Sequence, residues 1–352
     1  MTSLVNSLRT RFKIKTQLVL GFFILFFFVG CQETPSSLHL SGHTMGTTYH
    51  ITVVVDSGPL PDEKALTRGI DSVLSEVNRQ MSTYLEDSEI SCFNRWQSTE
   101  PFPVSPEFAQ VVKRALYWSE QSQGAFDIPV FPLVNRWGFG SEQFTVTPPD
   151  AEEVDSLLDL TGYEKLSITE NTLTKGVPSL QIDLGAIAKG FGVDHVFTYL
   201  QNRGWKRILV EIGGEIRGSG RNEYNEVWKV GIETPALNGN INRRYIIKAP
   251  LNELAMATSG DYRNYRVVKG RRISHEIDPR TGYPVQNQVA SVTVTAPDCM
   301  DADALSTAAM ILGAETGLRL IESLPEVEAF FILREKDGKY RKVSSAGFRW
   351  LE

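Results

Sequence analysis

Apolar residues recur every three or four positions over 62–80. Leu66, Ile70, Val73, Leu74 and Val77 share one face there and predict an amphipathic helix. Further helices are predicted over 106–122, 149–159, 187–202 and 301–312. Between them lie short runs rich in β-branched residues. Those at 50–55, 180–184, 207–212, 226–233, 243–249 and 290–296 read as strands, and 328–334 with 340–344 reads as a hairpin. Residues 126–140, dense in Phe, Pro, Trp and Gly, read as a loop. Helices and strands are mixed without regular alternation. That order predicts an α+β fold with antiparallel sheets rather than a doubly wound parallel sheet. No repeat or low-complexity linker interrupts the body of the chain.

The N-terminus follows a different pattern. Arg9, Arg11, Lys13 and Lys15 precede an apolar run of 13 residues, Leu18 to Gly30. A bilayer span needs roughly 20 residues, so the run suits the core of a secretory signal. It ends in Phe28-Val29-Gly30-Cys31, which resembles a bacterial lipobox, with Phe28 departing from the commoner Leu. An uncleaved anchor or a plain signal peptide is the alternative reading. The expected division is a lipoprotein signal peptide over 1–31 ending at a lipidated Cys31, a polar tether over 32–39, and one domain over 40–352. The expected location is the periplasmic side of a bacterial membrane, inner or outer.

Composition narrows the function. The chain carries 36 basic and 42 acidic residues, net −6. Residues 1–31 hold four bases and no acid, so the rest holds 32 bases against 42 acids, net −10. So acidic a body excludes a general nucleic-acid binder. An anionic substrate would need a local device, such as a metal ion or a helix N-terminus. Beyond Cys31 only Cys92 and Cys299 remain. A disulfide is permitted outside the cytoplasm, and two buried free thiols are the plainer reading.

Three segments carry candidate chemistry. In Asp183-Leu-Gly-Ala-Ile-Ala-Lys189-Gly-Phe-Gly192 a strand runs through a small-residue turn into a helix. Backbone N–H groups and Lys189 could meet a phosphate there, or the turn is structural; the spacing is neither a P-loop nor GxGxxG. In Asp301-Ala-Asp303-Ala-Leu-Ser306-Thr307, Asp301 can cap a helix and Asp303 can complement its dipole. Asp303 and Thr307 also share one face, a carboxylate with a hydroxyl, which suits a hard cation such as Mg²⁺. In Ser274-His275-Glu-Ile-Asp278-Pro-Arg-Thr-Gly282, His275 is a candidate general base or a surface histidine. Met45, Tyr84, Phe126, Trp137 and Phe139 could sandwich a planar ring or simply build core.

The order of nine blocks identifies a family. Met45-Gly-Thr-Thr-Tyr49, Met81-Ser-Thr-Tyr84, Gly124-Ala-Phe-Asp127, Pro132-Leu-Val-Asn-Arg-Trp-Gly138, the 183–190 block, Glu211-Ile-Gly-Gly-Glu215, Ala257-Thr-Ser-Gly-Asp-Tyr262, the 274–282 block and Asp303-Ala-Leu-Ser-Thr307 together resemble the ApbE family, FAD:protein FMN transferases. The resemblance spans about 40–345. It implies an α+β fold of two related lobes, with mixed or antiparallel sheets and flanking helices, related to the T-fold, and with FAD in the cleft. It implies Mg²⁺-dependent transfer of FMN from FAD to a Thr or Ser hydroxyl of a target flavoprotein, releasing AMP. Such targets include subunits of sodium-pumping NADH:quinone reductase and of Rnf-type complexes. By position, Met45, Tyr84, Ala125, Phe126, Asp127, Asp183, Lys189 and Ile277 would contact FAD. Ala186, through its carbonyl, Asp303 and Thr307 would hold Mg²⁺. His275 is the expected catalytic base. Glu276 stands where an apolar residue is usual. FAD hydrolysis to FMN and AMP, or non-catalytic FAD binding, are the alternatives.

Overall fold

The protein is described by a computed structural model over residues 35–141, 147–233, 245–261, 265–268 and 271–350. The expected signal segment and Cys31 lie outside the described residues. Eight strands form one sheet: β1 (Ser36–Thr44), β2 (Thr47–Val55), β3 (Arg207–Ile212), β4 (Glu215–Ser219), β5 (Leu254–Gly260), β6 (Val289–Ala296), β7 (Glu328–Arg334) and β8 (Tyr340–Ser344). Their order across the sheet is their order along the chain, and every neighbouring pair is antiparallel. The described helices are α1 (Glu63–Met81), α2 (Glu89–Arg95), α3 (Pro106–Gln121), α4 (Phe131–Arg136), α5 (Ala151–Leu158), α6 (Ala188–Gln201) and α7 (Cys299–Glu322). The two halves repeat one plan. β1 and β2 lead through helices ending in α6 to β3 and β4, and β5 and β6 lead through α7 to β7 and β8. The fold is α+β and antiparallel, and the expected lobes are the halves of this one sheet.

Both faces of the sheet are covered. α6 and α7 pack side by side on one face. The hairpin Trp228–Glu233/Tyr245–Leu251 lies on the other, where Trp228, Ile232 and Leu251 join Met256, Phe330 and Ile332 in one cluster. Burial from both sides is why β6 is buried at all eight positions, its Ser291, Thr293 and Thr295 included. The apolar composition of α7 has the same origin, since half of its most apolar stretch is buried in this core.

Several expectations need correction. Residues 180–184 are not a strand. Leu180, Ile182 and Leu184 are buried in alternation, but the backbone pairs with a side chain instead of a neighbouring strand. The Asn94 amide donates to the Ile182 carbonyl (2.9 Å) and accepts from the Ile182 N–H (2.8 Å). Residues 126–140 are not all loop, because Ile128–Val130 forms a 3-10 turn running into α4. β1 was missed. It begins at Ser36, inside the expected tether, and only Leu38 and Leu40 mark its buried face. The strand expected at 243–249 is seen over Tyr245–Leu251, and residues 243 and 244 lie outside the described residues. The helix expected at 301–312 extends over 299–322, bent at Gly313 (φ 78°). Its N-cap is Asp298, which accepts from the Asp301 N–H at 2.9 Å. Asp301 instead pairs with Arg114 and accepts from Trp118 Nε1 at 2.6 Å.

The starts of α6 and α7 meet and cap each other. Asp303 of α7 accepts from the Gly190 N–H of α6 at 3.0 Å. Asp194 of α6 accepts from the Cys299 and Met300 N–H groups of α7, each at 2.9 Å at its closest. Two orphan helix ends are thereby satisfied across one interface. Only glycine allows this approach, because a Cβ at position 190 would lie 2.2 Å from the Cys299 carbonyl oxygen. Both sides are backbone, so no side-chain rotation relieves the clash. Gly190→Ala is therefore expected to destabilise the protein by about 2–3 kcal/mol through overpacking. Urea unfolding measures this, and an unchanged midpoint would contradict the packing described.

Candidate functional site

A cavity of about 760 Å³ opens where the starts of α6 and α7 meet the β1–β2 and β3–β4 turns. That is within the usual range for a cofactor-sized ligand. All twelve expected site residues in the described part of the chain line it. Met45 lies on the β1–β2 turn, and Tyr84 follows α1. Ala125, Phe126 and Asp127 follow α3. Asp183 and Ala186 occupy the turn before α6, and Lys189 its first turn. His275 and Ile277 lie between β5 and β6, and Asp303 and Thr307 lie on α7.

Local sequence explains these placements. Met45 and Gly46 form a two-residue hairpin turn with both φ positive (47° and 70°). Gly suits that region, whereas Met there is strained, and its side chain faces the cavity. The Asp183 carboxylate accepts from the Gly185 N–H at 2.7 Å, closing the turn that delivers the chain to α6. Burial pushes the Asp183 carboxyl upward, against that hydrogen bond.

A charged group sits at the cavity floor. Lys189 Nζ lies 2.7 Å from Glu215 Oε1 and 3.5 Å from Asp303 Oδ1. Burial opposes the Lys189 charge, but Asp303 and Glu215 outweigh it and hold the ammonium above its usual range. Burial also pushes the Glu215 carboxyl up, while the Lys189 ammonium beside it pulls the other way. On the neighbouring face the Ser259 hydroxyl lies 2.8 Å from the Ser306 hydroxyl and 3.2 Å from that of Thr307. Glu215 and Ser259 were given no role from sequence. Glu215 follows the Gly213-Gly214 turn, and a carboxylate directly after a tight turn was the available signal.

The donor set can be tested against a metal ion. Among the described residues no three or more His, Cys, Asp or Glu side chains form a metal cluster. The expected set is different, comprising one carboxylate (Asp303), one hydroxyl (Thr307) and one main-chain carbonyl (Ala186), all lining the same cavity. Every donor is oxygen, which fits Mg²⁺ and its retained waters rather than zinc. Glu215 lies beside this set, engaged with Lys189 through Oε1, and its Oε2 is buried with no hydrogen-bond partner.

The opposite wall is more apolar. Ile277 is buried with Leu133, Trp137 and Val154, and Trp137 Nε1 donates to the Gly282 carbonyl at 2.8 Å. Phe139 meets the His275 ring edge-on, at 6.2 Å between centroids. Glu276 is itself buried, with its Oε1 3.3 Å from His275 Nε2, so the departure at 276 places a carboxylate against the candidate base. Tyr84 stands at the mouth, 72% exposed, as a ring available for stacking. Cys92 and Cys299 are both free thiols, but only Cys299 is buried as expected, Cys92 being partly exposed.

Asp127 is buried with Oδ1 unpartnered. Burial, reinforced by the Glu164 charge, pushes its carboxyl up to about 8. At neutral pH it therefore offers a protonated donor to the cavity. A raised acid favours the folded state while protonated. Its contribution is complete below about pH 4, where an unfolded Asp ionises, and is lost as pH rises toward about 8. Ligand-free Asp127→Asn is thus expected to gain stability over the parent between pH 5 and 8, by about 1–3 kcal/mol at the upper end. Urea unfolding at both pH values reads this difference, and parallel pH profiles would contradict it.

Comparisons with known proteins place the chain in a family. The model of the ApbE family matches residues 45–331. A Vibrio cholerae protein named FAD:protein FMN transferase is 44% identical over 325 residues, 92% of this chain and 96% of the relative. A Haemophilus influenzae protein of the same name is 40% identical, covering 90% and 92%. Among solved structures, the flavin transferase ApbE from Vibrio cholerae superposes with a TM-score of 0.82 at 43% identity, over 89% of this chain and 98% of that one. The Pseudomonas stutzeri flavinyl transferase ApbE, in its apo form, gives 0.80 at 36% identity, over 89% and 95%. The family model, the named relatives and the solved structures agree, and the chain belongs to the ApbE family.

Proposed function

We propose that this chain transfers the FMN half of FAD to a Thr or Ser hydroxyl of a target protein and releases AMP. The observation that carries this reading is the convergence of twelve residues, from Met45 to Thr307, on one cavity of cofactor size. Tyr84, Phe126 and Ile277 supply apolar and aromatic surface for a flat ring. Lys189 and the turn before α6 supply positive potential for a pyrophosphate.

The target hydroxyl oxygen attacks the FMN-side phosphorus, and the P–O bond to the bridging oxygen breaks. AMP leaves with that oxygen, and the hydroxyl proton passes to His275. Asp303, Thr307 and the Ala186 carbonyl are the residues that would hold Mg²⁺, which supplies charge neutralisation when bound. Glu276 orients the His275 ring through the 3.3 Å contact. The acceptor reaches the site from the mouth, past Tyr84. Carrier subunits of sodium-pumping NADH:quinone reductase or of Rnf-type complexes are the proposed acceptors.

Incubation with FAD and Mg²⁺, with and without an acceptor protein, tests the reaction class. The expected result is AMP release that requires the acceptor. AMP and free FMN in its absence would make the protein a hydrolase, and FAD bound but intact would make it a carrier.

The proposal extends to the N-terminus. The basic and apolar segment ending at Cys31 is the signal of a lipoprotein anchored at the periplasmic side of the membrane. Cys31→Ser is expected to abolish incorporation of labelled palmitate. Retained labelling would refute the anchor.

A further inference from the structure

Lys189 is the only Lys or Arg among the described residues that lines the cavity. It is held between two carboxylates that are themselves almost fully buried, Glu215 at 5% and Asp303 at 4% side-chain exposure. Its ammonium therefore rests against the carboxylate assigned above to the divalent cation, 3.5 Å from Asp303 Oδ1. Two cations on one nearly buried carboxylate repel each other. Glu215 provides the way out. It holds Nζ more closely, at 2.7 Å, and its second oxygen, Oε2, is buried without a partner. A buried unpartnered carboxylate oxygen is unfavourable unless something comes to it, and a second N–H of the same ammonium can.

We propose that Lys189 is an internal competitor for the divalent cation at Asp303, and that Glu215 is the positioning residue that draws its ammonium aside when the metal enters. The inference rests on the reading that Asp303, Thr307 and the Ala186 carbonyl bind the metal. Without metal, Lys189 neutralises Asp303 and keeps the starts of α6 and α7 together. With metal, Lys189 turns fully onto Glu215 and stays at the cavity, where a pyrophosphate would meet it. Glu215 acts through Lys189 and not as a ligand, and this gives opposite signs for the two substitutions.

Mg²⁺ binding to the full-length protein without FAD, followed by titration calorimetry, tests this. Lys189→Met is expected to tighten Mg²⁺ binding by about threefold or more, because the competitor is gone. Glu215→Gln is expected to weaken it by about threefold or more, because Lys189 then has only Asp303. In the Lys189→Met background, Glu215→Gln is expected to weaken binding clearly less than in the parent, because only its through-space charge is then lost. Lys189→Gln serves if the methionine variant misfolds, with thermal unfolding as the check. Weaker or unchanged binding in both Lys189 variants would overturn the proposal. Equal weakening by Glu215→Gln in both backgrounds would also overturn it, making Glu215 a direct ligand. Parent protein that binds no Mg²⁺, or binds it unchanged after Asp303→Ala, would overturn the metal reading and this inference with it. Parent binding that is lost in Asp303→Ala, with the wrong signs at 189 and 215, would overturn this inference alone.

Discussion

Asp303→Ala is expected to lower kcat/KM for FMN transfer by at least about 10³, the scale of several kcal/mol of transition-state charge stabilisation. Asp303 is expected to matter this much because it sits where several demands meet. It satisfies the Gly190 N–H at the start of α6, faces Lys189, and lines the cavity beside Thr307. Truncation therefore removes a proposed metal ligand and also leaves a half-satisfied ammonium. Asp303→Asn separates these effects, since the amide oxygen can still accept from Gly190 while the charge is gone. The measurement is transfer rate against Mg²⁺ concentration, with the thermal midpoint confirming the fold. If either folded variant keeps the parent's Mg²⁺ dependence, Asp303 is only a residue of the helix start.

His275→Ala is the second large effect. Transfer is expected to fall by about 10²–10⁴, the usual contribution of a positioned general base, while FAD affinity changes by less than about threefold. The split follows from position. His275 lies at the cavity edge, braced by Phe139 and Glu276, whereas the ring-binding surface is supplied by other residues. Flavin fluorescence quenching reads FAD binding, and single-turnover assays read transfer. Undiminished transfer at saturating FAD would remove His275 from the mechanism.

Much of this was legible in sequence because the fold and the site use local signals. The helix over 63–81 follows its apolar stripe from the Asp62 cap, and β6 follows a run of β-branched residues, Val292 to Thr295. What escaped depends on partners distant in the chain. Residues 180–184 have a strand's alternation, but Asn94 completes their hydrogen bonds, and no pattern in 180–184 reports a side chain about ninety residues away. Asp301 has a helix cap's position, yet it is claimed by Arg114 and Trp118 from another helix. β1 has only two apolar residues on its buried face.

The site divides in the same way. Asp303, Thr307 and His275 carry chemistry in their side chains and could be singled out. Ala186 would act through a carbonyl that every residue has, so only resemblance could point to it. Glu215 matched a block without a role, because its importance lies in its distance to Lys189 and in one oxygen without a partner. The net −10 body excluded a polyanion as partner but left a single dinucleotide open. Among the described residues one lysine faces the cavity, Lys189, and Glu215 and Asp303 already offset its charge.

Group transfer to a protein hydroxyl is read most directly by intact-mass and peptide mass spectrometry of a carrier-subunit acceptor after incubation with this protein, FAD and Mg²⁺. The expected product is one FMN joined by a phosphoester to a Thr or Ser of the acceptor, formed in step with AMP and absent with Asp303→Ala. An unmodified acceptor, with FAD intact or with FMN free in solution, would contradict it.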